Sequence, residues 1–186
     1  MSMKLVILGL LMECESHPYV IRQKMIEREM HHFVKIRDGS LYYAIDTLKK
    51  DGFIETVEKV KDSARPDRTI YRITQSGEQL FQKLLLEQFE NQAQLFHPMG
   101  PALIFSLYGN QDDICRILLK KLEEQKLRVQ QMKDLYEEHV SIVPRGVLHM
   151  MWGAYEHAET QLRWLERLTK DAEAGRLKER GVPLDL

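Results

Sequence analysis

Cysteine is scarce in this chain: 186 residues carry two, Cys14 and Cys115. Both fall in apolar-periodic segments, so free buried thiols are expected. An excess of either charge is missing as well. The net charge is -1 and the pI is near 6.7. The chain as a whole is therefore no polycation, and positive charge facing a nucleic acid would have to be local. Long apolar runs are also missing. The run Leu5–Met12 falls far short of the ~20 residues of a membrane span. No small-residue cleavage site follows it, and Glu13 sits where a lipoprotein wants a small residue before its cysteine. A buried first helix in a cytoplasmic protein is the expectation. There is no internal repeat and no low-complexity segment.

Catalytic signatures are absent too. No glycine-rich loop precedes a helix, no nucleophile elbow occurs, and the Cys and His residues show no spacing that favours a thiol nucleophile. An enzyme is not expected, nor a cofactor. His31 and His32 lie side by side on one short connector with no cysteine or carboxylate cluster at ligand spacing, which is how plain surface histidines look. His149 and His157 stand two helical turns apart, too far to chelate one ion unaided. No metal site is expected.

What is present is a well-supplied core, 44% hydrophobic with 30% charged residues, enough for one or two packed domains. Helix one is expected from Met3 to Cys14, broken by Ser16, His17 and Pro18. Proline is favoured at a first helical position, so Pro18 opens helix two, to about Met30, with Val20, Ile21, Met25 and Ile26 on one face. A connector, His31 to Arg37, leads to helix three. Asp38 or Ser40 can cap it, and Gly52 stands where a helix end wants φ > 0. Phe53 to Val60 and Thr69 to Thr74 read as strands. Between them KDSARPDR makes a polar, basic-tipped loop. Thr74 caps a long helix, about Gln75 to Gln94, whose apolar face is Leu80, Phe81, Leu84, Leu85 and Phe89. Two short helices, a third, and a two-stranded wing make a winged helix-turn-helix.

In such a module helix three enters the DNA major groove. At about 100° per residue, Leu41, Ile45 and Leu48 centre its buried stripe, with Ala44 at the edge. Tyr43 and Lys50 point opposite, and Ser40, Asp46 and Thr47 complete the outward face. Tyr42 and Lys49 lie on the flank. Hydroxyls can bond base edges or phosphates, and lysine reaches guanine or the backbone. From Lys35 to Arg72 there are nine Lys and Arg against seven Asp and Glu, a surplus of two, whereas residues 76 to 186 hold 14 basic and 17 acidic residues. The tilt favours the N-terminal module as the DNA-facing end. Each feature also has a plain reading. Tyr42 and Tyr43 can be ordinary aromatics, Lys49 and Lys50 a solvated helix end, Arg65 and Arg68 a solvated loop.

HPYVIRQKM, GSLYYAIDTLKKDGFIE and RPDRTIYRITQSGEQLF together resemble the N-terminal domain of PadR-type transcriptional regulators. His17, Tyr19, Gly39, Ser40, Leu41, Tyr42, Leu48, Gly52, Ile54, Arg65, Pro66, Tyr71, Thr74 and Gly77 match the family pattern. The resemblance covers about residues 3 to 85. Two residues depart from it: Pro18 replaces a glycine, and Tyr43 replaces the proline that follows the family tyrosine.

The C-terminal part begins after HPMGP, residues 97 to 101. A short apolar segment, Ala102 to Tyr108, precedes two long helices, about Gln111 to Val140 and Gly146 to Ala174. Cys115, Leu118, Leu122, Val129, Met132 and Tyr136 line the first. Met151, Ala154, Ala158, Leu162, Leu165 and Leu168 line the second, broadened by Trp152, Tyr155 and Trp164. Two helices cannot bury such wide stripes alone, and a second copy of the chain is the simplest cover. The resemblance agrees, since PadR-type proteins dimerise through C-terminal helices.

The expected architecture is mainly α: a winged-helix DNA-binding domain over 1–96 and a helical dimerisation domain over 97–186. The expected function is a homodimeric, sequence-specific transcriptional regulator on a palindromic operator, a repressor by the family's habit and released by a small-molecule effector or another signal. The expected DNA contacts are Tyr19, Lys35, Arg37, Ser40, Tyr42, Tyr43, Thr47, Lys49, Lys50, Lys61, Arg65 and Arg68. Dimer contacts are expected at Leu118, Leu122, Val129, Met151, Leu162, Trp164 and Leu165, and an effector at Trp152 and Tyr155, where plain packing is the alternative. The rival reading is a winged-helix module that binds protein rather than DNA.

Overall fold

The computed structural model describes residues 3–33, 38–62, 65–90 and 97–184; for Asp38 and residues 58–62 and 65–68 it describes backbone alone. The chain divides into two compact units, Met1–Gln94 and Leu95–Leu186. It is mainly helical, with one two-stranded antiparallel sheet.

The first unit runs α1 (Met3–Glu13), α2 (Pro18–Glu27), a 3-10 turn (Met30–His32), α3 (Asp38–Lys50), β1 (Ile54–Asp62), β2 (Arg65–Ile73) and α4 (Gln75–Glu90). Helix α1 is apolar around most of its circumference because other elements surround it: it packs on α3, α4 and β2. Ile7, Leu8, Leu10 and Leu11 are all buried, as a centrally placed helix requires. His17 caps α2, its Nδ1 accepting from the Tyr19 N–H at 3.1 Å, and Pro18 takes the first helical position, where a missing N–H costs nothing. The helix stops at Glu27, short of the expected Met30, because the chain turns through Glu29 at φ 50°. Its buried stripe is also narrower than expected. Ile21 and Met25, one helical turn apart, are fully buried, while Val20 and Ile26 are exposed. Arg28 grips Glu13 with two bonds of 2.6 and 2.7 Å, joining α2 to α1. The bonding to Arg28 holds the Glu13 carboxyl below its usual range, but so exposed a pair adds at most about 1 kcal/mol.

The wing differs from expectation in extent. The polar segment after Val60 was expected as a loop, yet β1 continues to Asp62 and β2 begins at Arg65. Val60 pairs with Arg68 and Asp62 with Arg65. A two-stranded ribbon can carry polar residues this far because its ladder is made by the backbone, whatever the side chains. A bridge outside the sheet also occurs. The N–H and C=O of buried Ser16 exchange bonds of 3.0 and 3.1 Å with those of Tyr71, so the α1–α2 link is stitched to β2.

The second unit comprises α5 (Gly100–Ile104), a 3-10 turn (Ser106–Tyr108), α6 (Gln111–His139), α7 (Arg145–Glu173) and a last 3-10 turn (Arg176–Lys178). Asn110 caps α6, accepting from the N–H groups of Asp112 and Asp113. Those two carboxylates suit the positive end of the helix dipole. Helices α6 and α7 pack along each other. Leu118, Leu165 and Ala172 are buried together, and Gln125 spans the seam, donating to the Ala158 carbonyl at 2.8 Å. That bond explains a polar residue on an apolar stripe.

The thiols depart from expectation. Cys14 is exposed and Cys115 half-buried, since Cys14 falls just past the end of α1, where the apolar period no longer faces the core. Lys24 Nζ donates to Cys14 Sγ at 2.9 Å, and this bond first, then Ser16, lowers the thiol's pKa. Phe89, expected on the apolar face of α4, is 83% exposed.

Candidate nucleic-acid interface

Helix α3 carries the most one-sided pattern in the first unit. Leu41, Ile45 and Leu48 are buried to 2% exposure or less, and Ala44, expected at the stripe's edge, is buried too. These side chains lie in one core with Ile7, Leu8, Ile21, Met25 and Ile54. Removing one, as in Leu48→Ala, would cost about 2–5 kcal/mol, so the buried side fixes the helix's rotation and with it what the other side displays.

The end of α3 is fixed as tightly. Gly52 has φ 76°; its N–H bonds the Lys49 carbonyl at 3.1 Å, and the Phe53 N–H bonds the Leu48 carbonyl at 2.9 Å. These are the two bonds of a Schellman stop, and Phe53 and Leu48 meet in the core. The start of α4 is tied to the same place. Thr74 Oγ1 donates to the Gly52 carbonyl at 2.8 Å and accepts from the Gly77 N–H at 3.2 Å. The Thr74 N–H donates to the Phe53 carbonyl at 3.1 Å. Gly77 allows this approach: a Cβ there would lie 2.1 Å from the Phe53 carbonyl oxygen.

On the outward side Tyr43 is 75% exposed, and its hydroxyl has no partner among the described residues. Ser40, Asp46 and Lys50 are exposed with it. Thr47, expected on this face, is half-buried, and its hydroxyl donates to the Tyr43 carbonyl at 2.8 Å. Threonine inside a helix readily bonds back one turn, which leaves Thr47 an acceptor and no free donor. On the flank Tyr42 is 47% exposed. Lys49 places its ammonium 5.9 Å from the centre of the Tyr71 ring, so part of its role lies inside the unit. Burial, and then the charge of Asp46, pushes the Tyr71 hydroxyl pKa up, so a carboxylate borders this face. Tyr19, at the start of α2, is 54% exposed.

Of the other expected contacts, Lys35 and Arg37 lie outside the described residues. Lys61, Arg65 and Arg68 belong to the half of the wing farthest from Ile54 and Ile73; only their backbone is described. A groove went unforeseen. Met3 and Lys4 of α1 and Gly39, Ser40, Tyr43 and Ala44 of α3 line a space of about 580 Å³. Lys4 reaches Asp51 at 3.6 Å. An apolar first helix gave no sign that its leading lysine would border α3.

In the second unit the expected dimer contacts divide into two groups. Leu118, Met151 and Leu165 are buried within the chain itself, and Leu122, Val129, Leu162 and Trp164 are half-buried. Leu122 and Trp164 pack on the cluster of Leu118, Leu165 and Ala172, so the regular three-and-four spacing marks the seam between α6 and α7. Among the apolar side chains that α6 and α7 leave exposed are Ile117, Leu119, Leu127, Met150 and Trp152. Trp152 borders a cavity of about 380 Å³ lined also by Tyr136, Arg145, Leu148 and His149. Tyr155 is not in that lining; it donates to Glu159 at 2.7 Å. Among the described residues no group of three or more His, Cys, Asp or Glu is placed to hold a metal. No described helix is long and apolar enough to cross a membrane.

Residues 7–83 match the transcriptional regulator PadR-like family. No curated protein matches the chain. Among solved structures, Bacillus subtilis PadR in complex with operator DNA aligns with a TM-score of 0.74 at 19% sequence identity, over 91% of this chain and 96% of that one. Bacillus subtilis PadR in complex with p-coumaric acid aligns with a TM-score of 0.74 at 20% identity, over 93% and 99%. The Vibrio cholerae virulence activator AphA aligns with a TM-score of 0.73 at 15% identity, over 94% and 99%. At such identities the structural likeness establishes the fold.

Proposed function

We propose that this chain, whose residues 7–83 match the transcriptional regulator PadR-like family, is a DNA-binding regulator and binds a palindromic operator as a homodimer. Helix α3 enters the major groove. Tyr43, Ser40 and Lys50 face the base edges, with Thr47 as an acceptor beside them. Tyr42, Tyr19 and Lys49 meet the backbone, as do Lys35 and Arg37. Lys61, Arg65 and Arg68 of the wing hold flanking phosphates or the minor groove. The observation that carries this reading is the exposed side of α3, where Tyr43 stands 75% in solvent on a helix whose opposite side is sealed in the core. A large aromatic in that position does nothing for the fold. A protein-binding winged module would not need its lysines, and salt separates the two readings.

The homodimer is supported by the apolar side chains that α6 and α7 leave uncovered. Two-fold symmetry then sets the half-sites about one turn of DNA, ~34–36 Å, apart. Repression with release by a small molecule is the mode proposed; the solved Bacillus subtilis PadR binds both operator DNA and p-coumaric acid. The test replaces Lys50 or Arg68 by alanine and follows DNA affinity against salt. Each loss should weaken binding and lower the magnitude of the log–log slope by about 1. Unchanged affinity and slope in both variants would sink these contacts.

A further inference from the structure

The groove between α1 and α3 holds a cation at the edge of the face proposed to read DNA. Met3 and Lys4 form one wall, and Gly39, Ser40, Tyr43 and Ala44 form the other. Lys4 is the charged member of this lining. Ser40, Ala44, Thr47 and Asp51 follow one another by four, three and four residues, one row along α3. Asp51 closes the row just past the helix end, and its carboxylate stands 3.6 Å from the Lys4 ammonium. At that distance the pair is no hydrogen bond, and its side chains are 34% and 42% exposed. An ion pair so open to water holds its partners weakly, and the flexible stem of lysine lets the ammonium turn away. A helix about 10–12 Å across fills a DNA major groove about 12 Å wide. With α3 in the groove, a cation standing beside its exposed side meets the phosphates along the groove's edge.

We propose that Lys4 is a DNA-phosphate contact held in check by Asp51: its ammonium serves the carboxylate in the free protein and a backbone phosphate in the complex. The inference rests on the DNA-binding reading given above and adds to it a contact from α1 and a residue that opposes binding. Lysine meets a phosphate as a point charge, so the exchange demands no fixed geometry. Because it involves phosphate and no base edge, it sets affinity and leaves sequence preference alone.

The probe is the tightest-binding duplex selected from the source genome, followed by fluorescence anisotropy between about 50 and 200 mM salt. The full chain is compared as wild type, Asp51→Asn, Lys4→Met, the double variant, and Glu87→Gln. The last removes the same charge from α4, where Glu87 pairs with Lys83 at 3.8 Å. Asp51 is exposed, and a carboxylate at a helix C-terminus opposes the dipole, so Asp51→Asn should fold; melting temperatures verify this for every variant. Asp51→Asn should tighten DNA binding by about two- to fivefold. Lys4→Met should weaken it and lower the magnitude of the log–log slope by about 1. With Lys4 gone, Asp51→Asn should gain no more than Glu87→Gln gains in the wild type, since the two residues act as one unit. A gain in Asp51→Asn no larger than in Glu87→Gln, an equal gain without Lys4, or an unaltered slope in Lys4→Met overturns the proposal and leaves the DNA-binding reading standing. A wild type that binds no duplex overturns both.

Discussion

Gly77→Ala tests the junction on which the placement of α3 depends. A methyl group at residue 77 would sit 2.1 Å from the Phe53 carbonyl oxygen and 2.7 Å from Ile73 Cγ1. Ile73 can adjust its rotamer, but the carbonyl is backbone. It must retreat by about 1.3 Å, from 2.1 to 3.4 Å, to reach ordinary contact, and it cannot do so freely: it accepts from the Thr74 N–H at 3.1 Å, while the adjoining Gly52 carbonyl accepts from Thr74 and Ser76. Overpacking of this kind costs about 1–3 kcal/mol. The gain from replacing a helical glycine, about 0.5–1 kcal/mol, offsets part of it. A net loss of about 1–2 kcal/mol should lower the melting temperature by roughly 4–8 °C per kcal/mol for a unit of this size. Thermal unfolding followed by circular dichroism gives the answer, with Gly39→Ala as the control, since a Cβ at Gly39 meets nothing within 4 Å. Gly39→Ala should leave stability unchanged or slightly raised, yet weaken DNA binding, because the added methyl lies beside Ser40 on the face proposed to meet the DNA. Gly77→Ala at or above the wild-type melting temperature would refute the close-approach reasoning.

Other outcomes follow from the same structure. Tyr43→Ala should change stability by less than about 0.5 kcal/mol and alter which operator bases are preferred by about 1–3 kcal/mol per affected base pair; a selection from random DNA reads the preference, and an identical preference removes Tyr43 from the interface. Thr169→Val should stabilise the chain by about 1 kcal/mol in urea unfolding, because Thr169 Oγ1 is buried with no hydrogen-bond partner among the described residues and such a hydroxyl costs about 1–3 kcal/mol. Cys14 should react with iodoacetamide faster than Cys115 near neutral pH, and Lys24→Met should slow it, since the Lys24 bond favours the thiolate; equal rates in mass spectrometry would contradict that reading.

Much of the fold could be read before the structure because the period of its apolar residues is clean. Leu41, Ile45 and Leu48 set the rotation of α3, Gly52 its end, and Thr74 the start of α4. Legibility failed where tertiary partners decide. Val20 and Ile26 look like core, yet they stand 38% and 48% exposed. Leu118, Met151 and Leu165 look like an interface but seal the hairpin of one chain, since a wheel shows which side is apolar and not what covers it. Strand lengths in the wing were underestimated because a two-stranded ladder depends on backbone bonds that polarity does not reveal. The Ser16–Tyr71 bridge joins residues 55 positions apart and leaves no local signal. At the interface the exposure of Tyr43 was legible, while the back-bonded hydroxyl of Thr47 and the groove beside Lys4 were not.

The central claim is that the exposed side of α3 reads DNA. Selection of bound fragments from the source genome, followed by fluorescence anisotropy of the best fragment at several salt concentrations, tests it most directly. The account predicts one preferred, palindromic fragment whose log affinity falls linearly and steeply with log salt concentration. Equal affinity for all fragments with a flat salt response would contradict it.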